Sequence, residues 1–157
     1  MITQITNFLS KDQCQYLINF HKEYFPQYGT KYIEGTNHLI NLWDLKDKFE
    51  FVRIMHDKFM EHIKELYKDD VVIDYFEVCE RFPNTSMEYH KDFKHQKYTS
   101  VIYLNDDFEG GETVVEGIPI KPEVGKIITF EGPKLYHGIS EIKKASRFAV
   151  PVWYKLQ

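Results

Sequence analysis

The chain has 157 residues, 43% hydrophobic and 28% charged, with 20 Lys and Arg against 24 Asp and Glu. This length and composition are typical of one globular domain over residues 1–157 and exclude collagen-like, coiled-coil, disordered and disulfide-scaffold chains. The net charge of −4 lacks the basic excess of a dedicated nucleic-acid binder, and no apolar run approaches the ~18 residues of a transmembrane helix.

The first residues, Met1–Gln4, have neither the basic region nor the long apolar region of a signal peptide. The chain has 2 cysteines, Cys14 and Cys79, which are too few for a disulfide framework. We therefore expect a cytoplasmic protein that binds neither a membrane nor nucleic acid.

The first 70 residues are predicted to be mostly helical and to support the remaining part of the domain. Ser10 and Gln13 have the spacing of a capping box, which marks the start of a helix. Pro26 is expected to end this helix, because proline lacks the backbone N–H that the helix needs. One helical face carries Cys14, Leu17, Ile18 and His21.

A loop is predicted over residues 27–45, where Gly29 and Gly35 interrupt any regular pattern. A second helix is predicted from Phe49 to Tyr67, because apolar residues recur there at the i, i+3, i+4 spacing of one helical face.

The pattern changes to short β-type runs over residues 71–157. Many short strands separated by Gly and Pro predict a mainly β, α+β fold in which the strands form a sandwich or barrel and the helices cover one sheet. The predicted strands are Val71–Phe82, Tyr98–Leu104, Thr113–Val115, Ile118–Ile120, Lys126–Phe130 and Arg147–Lys155.

Four residues in this second part carry recognisable chemistry. His90 and Asp92 lie two apart, so on an extended segment their side chains share a face. His137 follows an apolar run, and two imidazoles with one carboxylate make the facial triad of non-haem Fe(II) oxygenases. Arg147 opens a predicted strand, where a guanidinium suits bidentate pairing with an anionic ligand. As residue types alone this pattern is weak, because the chain has 7 His and 24 acidic residues.

The surrounding sequence resembles the prolyl 4-hydroxylase-like 2-oxoglutarate/Fe(II)-dependent dioxygenases. The resemblance covers about residues 71–156 and follows the family in order and spacing. It implies a double-stranded β-helix, a jelly-roll, cupin-like barrel with the metal at its open end. The matching segments are His90-Lys91-Asp92, Val101–Thr113, His137-Gly138 and Ser146–Tyr154.

The resemblance also implies roles for individual residues. His90, Asp92 and His137 would bind Fe(II), and Arg147 would pair with the far carboxylate of 2-oxoglutarate. Tyr103 stands where the family commonly supplies a phenol to the same carboxylate. The implied cofactors are Fe(II), 2-oxoglutarate and O₂, with ascorbate as a reductant.

Substrate residues follow less directly from the resemblance. Trp153 stands at a position that is often near the substrate or the cosubstrate in relatives, and Tyr89, next to His90, is a second candidate substrate residue. Phe82 and Met87 fall where many relatives have tyrosine, in the approach to the first metal ligand.

The function that we expect is hydroxylation of a C–H bond, first of all in a prolyl residue of a protein or peptide, with succinate and CO₂ as co-products. Three alternatives stay open: a hydroxylase of free proline or another amino acid, a cupin-type metalloenzyme that needs no 2-oxoglutarate, and a non-catalytic cupin-like metal-binding module. Fold alone does not separate them.

Overall fold

A computed structural model describes all 157 residues. Its helices are α1 (Lys11–Tyr28), α2 (Glu50–Leu66) and a short 3₁₀ helix (Trp43–Leu45). Its strands are β1 (Thr3–Ile5), β2 (Gly29–Ile33), β3 (Asn37–Asn41), β4 (Val71–Arg81), β5 (Met87–His90), β6 (Gln96–Tyr103), β7 (Glu109–Gly110), β8 (Thr113–Val115), β9 (Ile118–Ile120), β10 (Ile127–Phe130), β11 (His137–Ile139), β12 (Ile142–Lys143) and β13 (Arg147–Leu156).

The strands form two main sheets, as the mainly β prediction requires. The larger sheet has seven strands in the order β1-β10-β6-β13-β4-β3-β2, and the smaller has four in the order β5-β11-β8-β9. A short pair, β12-β7, stands apart, and every strand pairing is antiparallel. No strand of the larger sheet pairs with the smaller, so the sheets are not closed into the barrel expected from the sequence.

Helix α1 begins at the predicted cap but ends later than predicted. The Ser10 hydroxyl accepts a hydrogen bond from the Gln13 N–H at 3.1 Å, and the Gln13 side chain accepts one from the Ser10 N–H at 2.9 Å. The helix continues through Pro26 to Tyr28. A proline in the last turn removes only one hydrogen bond of the helix, and the Phe25 ring beside it stacks on His21 at 5.3 Å.

The segment predicted as a loop, residues 27–45, is a β-hairpin followed by the 3₁₀ helix. Gly35, with φ +72°, lies in the turn between β2 and β3 and does not end regular structure. Strand β3 pairs along its length with β4 and so extends the larger sheet. The prediction failed because the polar strand β2 is mostly exposed and shows no alternation of apolar residues.

The two helices cover the outer side of the larger sheet and leave its inner side free. Phe59 of α2 packs edge-to-face on Phe76 of β4, with ring centroids 5.3 Å apart, and Val78 is fully buried in the same core. The next residues along β4 point the other way, towards a cavity, as alternation along a strand requires. These cavity-facing residues are Tyr75, Glu77, Cys79 and Arg81.

The six predicted strands all occur, with bounds that differ by two residues or fewer. Neither α-helix combines the length and the apolar character needed to cross a membrane.

Candidate active site

A cavity of about 410 Å³ lies between the larger and the smaller sheet. Strands β4, β6 and β13 supply one side, and β5, β8 and β11 supply the other. Five of the seven candidate site residues line this cavity: His90, Asp92, His137, Arg147 and Trp153. The other two, Tyr103 and Tyr89, do not line it.

His90, Asp92 and His137 meet at one end of the cavity. His90 ends β5 and lies directly opposite His137 in the antiparallel pairing of β5 with β11. Asp92 lies just beyond the end of β5, and its Oδ1 is 3.5 Å from His90 Nε2 and 3.3 Å from His137 Nε2. All three ligand atoms lie within 4.8 Å of one another. The expected strand pairing therefore does bring the three side chains together.

Backbone carbonyls fix the orientation of both imidazoles. Nδ1 of His90 lies 3.0 Å from the Glu88 carbonyl oxygen, and Nδ1 of His137 lies 2.8 Å from that of Leu135. Each Nδ1–H donates to its carbonyl, so each Nε2 faces Asp92. When protonated, Nε2 donates to the carboxylate, and when deprotonated it offers a lone pair to a cation. This arrangement suits a bound divalent cation.

The Asp92 carboxylate is positioned by its surroundings as well. Its side chain is 7% exposed, its Oδ2 accepts a hydrogen bond from the Thr99 hydroxyl, and its N–H donates to the Gly132 carbonyl at 3.1 Å. A Cβ at Gly132 would collide with both Asp92 Oδ2 and Thr99 Oγ1. Glycine at this position is therefore what allows the carboxylate to turn towards the two imidazoles.

Electrostatics keep the carboxylate ionised. Burial alone would raise the pKa of Asp92, but hydrogen bonds with His137 and His90 outweigh burial and hold the pKa well below its usual range. The hydrogen bond with Asp92 in turn raises the pKa of His90. Two neutral nitrogen donors and one carboxylate are the donor set that non-haem Fe(II) sites use, so these residues fit that metal.

Arg147 lies at the other end of the cavity and has no carboxylate partner. It is 3% exposed, its Nε–H donates to the Gly111 carbonyl at 2.8 Å, and its Nη2 donates to Thr113 Oγ1 at 3.1 Å. Burial lowers the pKa of the guanidinium. A buried cation without a counter-ion is costly, and a bound carboxylate would remove that cost.

Tyr103 lies beneath Arg147 and supports it. The guanidinium carbon is 5.2 Å from the centre of the phenol ring, within the range of a cation–π interaction. The Tyr103 hydroxyl donates to Thr113 Oγ1 at 2.7 Å and accepts from the Thr113 N–H at 3.1 Å. The resemblance implied that this hydroxyl meets the far carboxylate of 2-oxoglutarate, but here it is engaged by Thr113 on β8, the strand whose Thr113 also accepts from Arg147.

The two candidate substrate residues have different surroundings. Trp153 lines the cavity and stacks on Tyr75, with ring centroids 4.5 Å apart. Tyr89 precedes His90 on β5 and is 54% exposed, so its ring lies outside the cavity.

Two charged residues in the cavity, Glu77 and Arg81, were not identified from the sequence. Both half-buried side chains lie on β4, four residues apart on the cavity-facing side. Alternation along the predicted strand places them on one face, but charged residues on a strand more often face solvent.

Comparison with known proteins agrees with this geometry. The family model of the 2OG-Fe(II) oxygenase superfamily, where 2OG is 2-oxoglutarate, matches residues 73–155. Prolyl 3-hydroxylase 2 of Homo sapiens is 37% identical over 67 residues, which cover 38% of this chain and 10% of that protein. The chain therefore matches about a tenth of that relative's length.

Solved structures share the fold at low sequence identity. A viral collagen prolyl hydroxylase from Paramecium bursaria Chlorella virus-1, in complex with 2OG, superposes with a TM-score of 0.76 at 18% identity, covering 99% of this chain and 96% of that one. A prolyl hydroxylase from Trichoplax adhaerens, in complex with a hypoxia-inducible-factor peptide fragment, gives 0.74 at 15% identity, covering 98% and 83%. The fold is thus the double-stranded β-helix expected from the resemblance.

Proposed function

The chain belongs to the 2OG-Fe(II) oxygenase superfamily and is a dioxygenase domain that uses Fe(II), 2-oxoglutarate and O₂, and we propose that it hydroxylates a prolyl residue of a protein or peptide, with succinate and CO₂ as co-products. The observation that carries this proposal is the convergence of His90, Asp92 and His137 at one end of a cavity whose other end holds the unpaired guanidinium of Arg147.

In this proposal each residue of the site has a defined task. His90, Asp92 and His137 would hold the iron. The bound iron, with 2-oxoglutarate and O₂, supplies the oxidising power for attack on a C–H bond. Arg147 binds the far carboxylate of 2-oxoglutarate, and Tyr103 keeps the guanidinium in place.

The cavity walls protect this chemistry from water. Val101, Phe130, Ile139 and Ala149 line the cavity with apolar side chains, and the Phe130 ring centroid lies 4.8 Å from that of His137. Excluding water strengthens the pairing of Arg147 with a carboxylate, since charges interact more strongly in a low dielectric.

A prolyl substrate is supported by the relatives. The matched relative from Homo sapiens is a prolyl 3-hydroxylase, and the two solved structures are prolyl hydroxylases, one of them with a bound peptide. Trp153 and Tyr75 offer an aromatic surface against which a pyrrolidine ring would pack at the metal end of the cavity.

The first test is anaerobic. Fe(II) and then 2-oxoglutarate are added to the metal-free protein, and the visible spectrum is recorded. We expect the weak charge-transfer band of the iron–2-oxoglutarate complex, and we expect its loss in His137→Ala. His56→Ala, which changes a histidine on α2 outside the cavity, is the matched control.

The second test admits air in the presence of ascorbate and proline-containing peptides, and measures succinate and peptide mass. An increase of one oxygen atom on proline would support the full proposal. In the first test, iron binding without the charge-transfer band would favour a cupin-type enzyme that needs no 2-oxoglutarate. The absence of iron binding would favour a non-catalytic module.

A further inference from the structure

Glu77 is a carboxylate in the cavity that has no cationic partner in the protein. No Lys, Arg or His side chain forms an ion pair with it, and its one hydrogen bond comes from the Cys79 thiol at 3.3 Å. A thiol is a weak donor. The carboxylate is therefore poorly compensated for the water that it loses.

The cavity that Glu77 lines holds a second polar atom without a partner. The Nε2 of Gln96 donates to Asp74 at 3.1 Å, which fixes the orientation of this amide. The buried Oε1 of Gln96 then has no hydrogen-bond partner, although the residue lines the same cavity. Burial also raises the pKa of Glu77, against smaller opposing effects of the Cys79 thiol and Arg81. A ligand group that carries N–H donors would satisfy the Glu77 carboxylate.

Glu77 lies away from the end of the cavity that suits anions. In the pairing of β4 with β13, Arg81 lies opposite Arg147, so two arginines are cross-strand neighbours at the end proposed for 2-oxoglutarate. Glu77 is four residues from Arg81, about 13 Å along the strand at ~3.3 Å per residue. A negative and a positive region therefore divide the cavity-facing side of β4.

Glu77 lies within reach of the metal end. Trp153 pairs with Tyr75 on one side and with Thr99 on the other, and the Thr99 hydroxyl bonds Asp92. Thr99 on β6 is therefore level with Tyr75 on β4, two strands away. Glu77 is the next cavity-facing residue of β4 after Tyr75. Strand spacings of about 4.8 Å and a rise of about 3.3 Å per residue put the two Cα atoms roughly 12 Å apart.

We propose that Glu77 is a specificity-determining residue that binds a cationic group, an ammonium or guanidinium, carried by the substrate. This inference rests on the proposed function, since it assumes that the substrate reacts at the metal end. On a peptide the cation is a Lys or Arg side chain within about three residues of the target proline, because an extended chain covers about 3.3–3.6 Å per residue. On a free amino acid it is the amino group itself.

The experiment measures binding in the absence of turnover. Protein loaded with Fe(II) and 2-oxoglutarate is titrated anaerobically, by calorimetry, with peptides that contain one proline. The peptides differ only in having Lys, norleucine or Glu at one position within three residues of that proline. Free L-proline and free L-lysine form separate arms.

We expect Lys at one or more positions to tighten binding by about tenfold or more over norleucine, the usual value of a charge-assisted hydrogen bond. Glu77→Gln should remove this preference, and Glu77→Lys should reverse it in favour of the Glu peptides. Glu80→Gln is the matched control, because it makes the same change on β4 outside the cavity. Thermal unfolding and the charge-transfer band show that each variant is folded and loaded.

Each result decides the matter. Tight binding of a free amino acid that Glu77→Gln abolishes would support the role of Glu77 and place the cation on a free substrate. Equal binding of Lys and norleucine peptides without binding of a free amino acid, an unchanged preference in Glu77→Gln, or no binding of any probe would overturn it. Succinate formation on admission of air is scored separately: a peptide bound through Glu77 but not hydroxylated would contradict the proposed function alone.

Discussion

Replacing Arg147 with alanine should weaken 2-oxoglutarate binding and leave iron binding intact. The guanidinium is 3% exposed, is held by Gly111 and Thr113, and has no carboxylate in the protein within 4.0 Å. It contacts none of the three predicted metal ligands. The variant should therefore weaken the binding of 2-oxoglutarate without weakening the binding of iron.

The size of the effect follows from the chemistry of the pair. A hydrogen bond between charged groups contributes about 1.5–3 kcal/mol, and a tenfold change in affinity corresponds to about 1.4 kcal/mol, so binding should weaken about 10- to 150-fold. At 2-oxoglutarate equal to about 100 times the wild-type Kd, the ligand stabilises the wild type by about 2.7 kcal/mol. In the variant the same concentration would contribute only about 0.3–1.4 kcal/mol.

Thermal unfolding with and without 2-oxoglutarate measures this difference. For a domain of this size 1 kcal/mol moves the Tm by about 2–4 °C, so the ligand should raise the wild-type Tm by about 5–11 °C and that of Arg147→Ala by about 1–6 °C. An anaerobic titration of the charge-transfer band gives the two affinities directly. Arg81→Ala, the neighbouring guanidinium, is the matched control and should lose less.

Two results would refute the reasoning. One is an unchanged 2-oxoglutarate affinity in Arg147→Ala. The other is an Fe(II) affinity that falls in parallel, which would mean that the substitution disturbs the whole site. Without 2-oxoglutarate, the variant should be about as stable as the wild type, because it also removes an uncompensated buried charge.

Three further substitutions test the surroundings of the site and the core. Gly132→Ala should weaken Fe(II) binding about 10- to 100-fold by displacing the Asp92 carboxylate; unchanged iron affinity would show that the carboxylate can move at no cost. Burial lowers the pKa of His62 from 6.5 to about 4. Between these pH values the unfolded chain binds a proton at this residue and the folded chain does not, so the free energy of unfolding should fall by about 3 kcal/mol as the pH drops from 6.5 to 4. Urea unfolding should show that His62→Gln loses this dependence, and an equal loss in both proteins would contradict the assignment. Tyr103→Phe leaves the Thr113 N–H without its acceptor, so unfolding at pH 7 should show a loss of about 1–3 kcal/mol, and an undiminished stability would mean that the N–H finds another partner.

Most of the regular structure could be predicted because its signals are local. The capping box at Ser10 lies within four residues, and α2 shows its apolar stripe over several turns. The convergence of His90 with His137 was also predictable, since both residues lie in a familiar sequence context. The structure adds the pairing of β5 with β11 that brings them together.

What could not be predicted depends on pairing between distant segments. Strands β5 and β11 have 4 and 3 residues, too few to display an alternating pattern. The hairpin over residues 29–41 is a strand pair only because β3 adds to the edge of β4, more than 35 residues further along the chain. Local propensity, which identified Gly29 and Gly35 as breakers, carries no information about such partners.

The side chains that distinguish this cavity are set by a change of phase within β4. At the start of β4 the residues buried in the core are odd-numbered, Val71 and Ile73. Further along the strand the core residue is Phe76, so the core-facing positions become even-numbered. The register with β13 shifts at the same place, where Tyr75 pairs with Trp153 but Ile73 pairs with Tyr154. The residue left over on β4 is Asp74, as in a β-bulge, a feature that re-aims side chains beside active sites.

This phase change explains why the resemblance pointed to the candidate metal ligands but not to the charged residues beside them. The resemblance pointed to Phe82 and Met87 as residues that replace tyrosines of relatives. Met87 lines the cavity, but Phe82 packs on His38, with ring centroids 4.6 Å apart, outside it. Its neighbour Arg81 faces the cavity instead, in phase with Glu77. A motif predicts the metal ligands because an iron site requires those residue types. The charges proposed to select a substrate depend instead on which face of the long strand β4 lines the cavity.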